Sequence, residues 1–204
     1  MSAPAFDPAT AEPRRAARVL LVDGAGRVLL FRGFDPARPE HRYWFTVGGG
    51  LADGEPAAAG AARELREETG LQLPPAALGE PVWREVTTFP FDGVWYRQEQ
   101  DYFLVRVDRW EVVTHGFDDV ERASIDDHRW WSIADLAATG ERYYPPGLPD
   151  LLRRLVDTGH PADTGHPAPS AVPAGAPAPA VPAAAAPAAP AAPAAHRGGQ
   201  VGTC

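Results

Sequence analysis

Gly49-Gly50-Leu51-Ala52-Asp53-Gly54-Glu55-Pro56-Ala57-Ala58-Ala59-Gly60-Ala61-Ala62-Arg63-Glu64-Leu65-Arg66-Glu67-Glu68-Thr69-Gly70-Leu71 is the stretch on which the reading of this chain turns. Pro56 suits the first turn of a helix and Gly70 suits its end, so the spacing predicts one helix from Pro56 to Thr69. At 100° per residue, Ala58, Ala61, Ala62, Leu65 and Thr69 share one sector, while Glu64, Glu67 and Glu68 fall within roughly 100° of arc. One side is expected to pack and the other to gather three carboxylates into one turn. Like charges at i, i+3 and i+4 cost a few tenths of a kcal/mol per pair, and acids in a last turn oppose the helix dipole. A hard divalent cation between the carboxylates would reverse that balance, because Mg²⁺ prefers oxygen ligands and is completed by waters and phosphates. Arg63 and Arg66 flank the acidic sector and can orient it.

Outward from this helix, Val19–Val22 and Val28–Phe31 are apolar runs separated by Asp23-Gly24-Ala25-Gly26, a hairpin signal. A polar loop rich in Arg and Pro follows, and then Tyr43 to Val47 is expected as a strand running into the glycines. Val82–Phe89 and Trp95–Val107 flank Phe91-Asp92-Gly93 as a second hairpin. His128–Trp131 is a short aromatic strand leading into Ser132-Ile133-Ala134-Asp135, a helix start, and Pro149–Val156 carries leucines at helical spacing. Strands first, one long helix between them and more helix at the end define a mixed α/β arrangement.

The chain has 204 residues, but between Pro161 and Ala195 it holds 10 Pro and 17 Ala, with nothing aliphatic larger than Val. Such a stretch cannot bury enough apolar surface to offset the entropy of ordering it. The expected organisation is a flexible segment over 1–15, one folded domain over 16–156, and a disordered Pro/Ala-rich tail over 157–204 that opens with a six-residue tandem copy, Asp157–Ala162 and Asp163–Ala168. The formal net charge of −8 disfavours nucleic acid and anionic membranes as partners. The single Cys is Cys204, which removes internal disulfides, thiolate metal cages and a cysteine nucleophile. No long apolar segment marks a signal peptide or membrane span, so a soluble cytoplasmic protein is expected.

The 23 residues from Gly49 to Leu71 resemble a complete Nudix box: Gly, five residues, Glu, seven residues, Arg-Glu, an aliphatic, any residue, Glu-Glu, any residue, Gly and a final aliphatic. A Gly-rich turn before the box and the strand Arg129-Trp130-Trp131 extend the resemblance, whereas Val47 stands where many members carry Pro. The resemblance implies a Nudix-type α/β/α sandwich with a mixed sheet. It also implies a metal site of Glu64, Glu67, Glu68 and the Gly48 carbonyl, for Mg²⁺ or Mn²⁺, and a Glu55/Arg63 pairing that braces the loop. The implied activity is metal-assisted hydrolysis of a phosphoanhydride bond in a nucleoside diphosphate linked to another moiety, a small-molecule substrate; the alternative is a silent nucleotide or ADP-ribose sensor. Glu64, Arg63 and Glu121 are the candidates for catalysis, Glu64 ahead of Glu121 and Glu99 as general base. Arg32 and Arg42 are the candidates for substrate phosphate, and Trp44, Trp83, Trp95 and Trp130 are aromatic residues from which no base pocket is chosen. A homodimer is an option the family leaves open. The isomerase branch with a catalytic Cys is removed, and NADH, coenzyme A and ADP-ribose subclasses are weakened by missing motifs, among them a Pro absent at Thr87.

Overall fold

The computed structural model describes residues 11–117 and 119–157. The Pro/Ala-rich tail, nearly all of the tandem copy and residues 1–10 lie outside them. Strand β1 spans Glu12–Val22, β2 Val28–Asp35 and β3 Arg38–Gly50. Helix α1 spans Ala57–Thr69, followed by a 3-10 turn at Pro75–Leu78, strands β4 (Trp83–Phe91) and β5 (Val94–Arg106), and helix α2 (Asp119–Ser124). Strand β6 (Ile125–Trp131), helix α3 (Ile133–Ala138), strand β7 (Tyr143–Tyr144) and helix α4 (Leu148–Asp157) complete the described chain.

The strands form one mixed sheet. β1 runs parallel to β5 along its whole length, from Glu12 opposite Tyr96 to Val22 opposite Arg106. That pairing starts the strand at Glu12 rather than near Ala16, because backbone ladder bonds order Pro13, Arg14 and Arg15 without any apolar signal in their sequence. β3 bridges the two halves of the sheet: its last residues pair with β1, Ala16 opposite Gly50, and its first part pairs with β2. The Arg- and Pro-rich segment expected as a loop is therefore a hairpin. Asp35 closes it, accepting hydrogen bonds from the Ala37 N–H (3.0 Å) and from Arg38.

Period-two alternation along β1 divides the core. Ala17, Val19 and Leu21 face α1 through Ala61, Ala62 and Leu65, and Leu20 and Val22 join the cluster of Leu136 from α3 and Leu148, Leu151, Leu152 and Leu155 from α4. The sheet is thus sandwiched between α1 and the α3–α4 pair, the α/β/α arrangement expected. The ends of α1 are set locally: Pro56 precedes it, and Gly70 caps it at φ 75°, its N–H donating to the Arg66 carbonyl. The β4–β5 turn takes φ 46° at Asp92 and 80° at Gly93, as a tight two-residue hairpin requires. Ser132 accepts a hydrogen bond from the Asp135 N–H at 3.0 Å and caps α3. Ser132→Ala is expected to lower stability by about 1 kcal/mol, read as a chemical-denaturation midpoint shift with unchanged slope.

Candidate active site

Packing α1 against β1 and β3 turns two of its carboxylates inward. Glu64 is 1% exposed and Glu68 fully buried, on the same helix flank as Leu65 and Ala61. The acidic sector and the packed sector expected on opposite sides thus overlap. Glu121, from the first turn of α2, joins them: one carboxylate oxygen from each of Glu64, Glu68 and Glu121 lies within 4.8 Å of the others. Glu67 falls outside this trio, at the rim, where it accepts from Arg63 (3.2 Å) and Arg66 (2.9 Å).

The loop ahead of α1 is tied to the helix by Arg63. Its guanidinium donates to both oxygens of Glu55 (3.1 Å each), to the Gly50 carbonyl (3.1 Å) and to Glu64 (2.7 Å). Gly48 connects the sheet to the trio, its N–H donating to Glu68 Oε2 at 2.6 Å and its carbonyl accepting from the Arg18 guanidinium. Its φ of 118°, with the Ala17 carbonyl packed where a side chain would start, admits only glycine. A carbonyl has two lone pairs, so the Arg18 bond leaves the Gly48 oxygen able to serve as the ligand the resemblance implies.

Burial pushes the Glu64 carboxyl up to about 7, against the lowering influence of Arg63. Burial, with the charges of Glu64 and Glu121 behind it, holds Glu68 well above the ordinary range. Glu68 Oε1 is buried with no hydrogen-bond partner among the described residues. Like charges crowded out of water, with an acceptor that has nothing to accept from, form a group that could hold a cation. The all-oxygen donor set suits a hard divalent ion such as Mg²⁺ or Mn²⁺.

Other candidates sit elsewhere. Arg32 and Arg42 both pair with Asp126, at 2.7 and 2.5 Å, and make no bond to the glutamates among the described residues. Glu99 is exposed and paired with Arg97 at 2.9 Å, and His128 lies on β6 with its ring 5.9 Å from that of Phe31. Trp44 is core, stacked edge-on against Trp131 with its indole N–H on Glu141, and Trp83 packs on Tyr102. The sequence reading passed over Arg18, which reaches the Gly48 carbonyl from β1; its one signal is an arginine two residues after Ala16, directly ahead of the apolar run Val19–Val22.

A NUDIX domain family model matches residues 12–153. The chain belongs to the Nudix family. An RNA pyrophosphohydrolase from Dinoroseobacter shibae is 43% identical over 60 residues, 29% of this chain and 36% of that protein. An octanoyltransferase from Myxococcus xanthus is 46% identical over 66 residues, 30% of this chain and 17% of that protein. The chain thus spans about a third or less of the length of these curated relatives. Among solved structures, the MutT protein from Methanosarcina mazei Go1 superposes with a TM-score of 0.56 at 17% identity, covering 74% of this chain and 98% of that one. The E. coli dihydroneopterin triphosphate pyrophosphohydrolase does so with a TM-score of 0.51 at 17% identity, covering 72% and 99%. At these identities the likeness is one of fold. Among the described residues no helix is long and apolar enough to cross a membrane.

Proposed function

We propose that this chain hydrolyses a phosphoanhydride bond in a nucleoside diphosphate linked to another moiety, with Mg²⁺ as its cofactor. The observation that carries the proposal is the buried trio of Glu64, Glu68 and Glu121, which the fold retains at the end of a complete Nudix box. Family membership supports it, as do the names of relatives that act on pyrophosphate bonds. Glu64, Glu68 and Glu121 with the Gly48 carbonyl would hold the ion, and Glu67 stands at its rim. A divalent ion bound there supplies charge neutralisation for phosphate oxygens and a water acidic enough to be a nucleophile near neutral pH.

The protein's own groups supply the rest. Glu64, buried at the trio and held by Arg63, is the group we assign to accept a proton at a carboxylate oxygen. Arg63 fixes the rotamer of Glu64 and joins it to the Glu55 loop, so the loop and the base keep one geometry. Glu121 is the second acid at the same point and the alternative proton acceptor.

The test is product analysis by mass spectrometry, with wild type and Glu64→Gln incubated with Mg²⁺ against nucleoside triphosphates, nucleotide sugars, ADP-ribose, dinucleotide cofactors and diadenosine polyphosphates. Wild type is expected to cleave at least one class at a phosphoanhydride bond, and Glu64→Gln to lose about a hundredfold or more. Glu67→Gln, outside the trio, is expected to lose roughly tenfold. No turnover of any compound by wild type would overturn hydrolysis in favour of a domain that only binds nucleotides.

A further inference from the structure

Two arginines of β1 stand beside the candidate site, Arg18 buried and Arg14 half-buried. Arg14 and Arg18 form no ion pair among the described residues, although each lies within electrostatic reach of Glu64. The Arg14 guanidinium is wedged between the Tyr96 ring, 5.8 Å away, and Gly50, where any side chain would collide with it. Arg14 Nη1 is buried with nothing to donate to among the described residues. Burial first, and the neighbouring charge of Arg18 second, lower its pKa to about 10. Withdrawing a cationic donor from water with nothing to donate to is unfavourable, and a bound anion would supply what Arg14 Nη1 lacks.

The surrounding groups are built to receive one. Gln98 stands opposite Arg14 in the parallel β1–β5 ladder and is 1% exposed, yet its Oε1 has no partner among the described residues. Its Nε2 donates to Gln100 Oε1 at 2.9 Å, the same oxygen that Arg18 Nε approaches at 3.4 Å. Gln100 Nε2 in turn donates to Glu85 at 2.8 Å, and the Tyr102 hydroxyl donates to the same Glu85 oxygen at 3.3 Å. This chain of bonds, with those from Arg18 Nη1 to the Thr46 and Gly48 carbonyls, holds Arg18 and leaves Arg14 Nη1, a donor, and Gln98 Oε1, an acceptor, without partners among the described residues.

We propose that Arg14 forms the subsite for a phosphate group of the substrate, with Arg18 adding its charge behind it and Gln98 Oε1 accepting a hydroxyl or N–H carried by the same ligand. This rests on the hydrolase reading and names the residues that hold its anion. Arg32 and Arg42, by contrast, share the Asp126 carboxylate, with Asp127 3.8 Å from Arg32.

The experiment is steady-state kinetics of the full chain on whichever phosphoanhydride of the panel wild type cleaves, comparing Arg14→Gln, Arg14→Lys and Arg15→Gln. Arg14→Gln is expected to raise KM ~30-fold with kcat changed less than about threefold, and Arg14→Lys to recover most of the loss. Arg15→Gln, at an exposed neighbour of the same charge, is expected to match wild type. An unchanged KM in Arg14→Gln, or an equal rise in Arg15→Gln, would overturn the subsite. Should wild type cleave nothing, the hydrolase reading fails by itself, and calorimetric binding of methylenediphosphonate with Mg²⁺ decides the subsite. Binding at least tenfold weaker in Arg14→Gln supports it. Equal binding, or none by wild type, overturns it. Melting temperatures of all variants, with Arg14→Lys as the charge-keeping control, separate loss of the anion contact from loss of folding.

Discussion

Glu68→Gln is expected to abolish most turnover and, at the same time, to make the metal-free protein more stable. A buried carboxylate with like charges around it is tolerated for what it binds. Removing its charge takes away electrostatic stabilisation worth several kcal/mol in a metal-assisted phosphoryl transfer, about a thousandfold in kcat. The same change relieves the repulsion from Glu64 and Glu121 that, after burial, most raises the Glu68 pKa. The amide oxygen can keep the 2.6 Å bond from the Gly48 N–H, and its NH₂ gives the neighbouring carboxylates a donor. Without divalent cation at pH 8 the variant is expected to melt about 5 °C or more above wild type. Thermal melts and turnover measured on one preparation check both halves. A variant that loses activity and stability together would show that Glu68 is a structural residue, and one that loses neither would remove the trio from the chemistry.

The melting temperature of metal-free wild type is expected to fall as pH rises from 5 to 8, the reverse of a protein held by ion pairs alone. The Glu64 carboxyl is raised from 4.5 in the unfolded chain to about 7 in the folded one, so between those values the native state binds the extra proton. Stability changes with pH as the protons bound by the unfolded state minus those bound by the native state, which is negative across this window. The contribution of Glu64 is therefore complete below about pH 4.5 and lost as pH passes 7, an effect of order 3 kcal/mol. Glu68 acts in the same direction. Glu55 opposes them only at lower pH, because hydrogen bonds from Arg63 hold it below its ordinary value and its contribution is lost as pH falls through that lowered value. Mg²⁺ competes with the protons, so saturating Mg²⁺ is expected to raise the melting temperature by roughly 8 °C at pH 8 and by far less at pH 5. Melting curves at both pH values, with and without Mg²⁺, decide it. A flat metal-free profile, or equal Mg²⁺ shifts at both pH values, would mean that the two carboxylates titrate normally and hold no ion.

Much of the fold was legible because its signals are local. Pro56 and Gly70 bound α1, Asp92-Gly93 turns β4 into β5, and Ser132 caps α3, each through backbone preferences of a few adjacent residues. The errors have a common cause. β1 begins at Glu12, and the Arg38–Arg42 segment is strand, because ladder bonds to distant partners order residues that carry no apolar pattern. In the candidate site, helical phase put Glu64, Glu67 and Glu68 on one arc, but phase alone does not say which edge of that arc the sheet covers.

The Nudix box, with its helix and its glutamates, was readable without the fold because it depends on spacing along one continuous segment, whereas the Glu55–Arg63 brace was implied only by the family resemblance. Tertiary structure alone decided that Glu68 turns inward and Glu67 stays at the rim. It also brought Glu121 to Glu64 from α2, gave Asp126 to Arg32 and Arg42, and left Arg14 Nη1 without a partner among the described residues. Burial and charge pairing are properties of which segments meet, and the meeting of β1, β3, β5, α1 and α2 is set by sheet pairing across the length of the domain, beyond the reach of any local pattern.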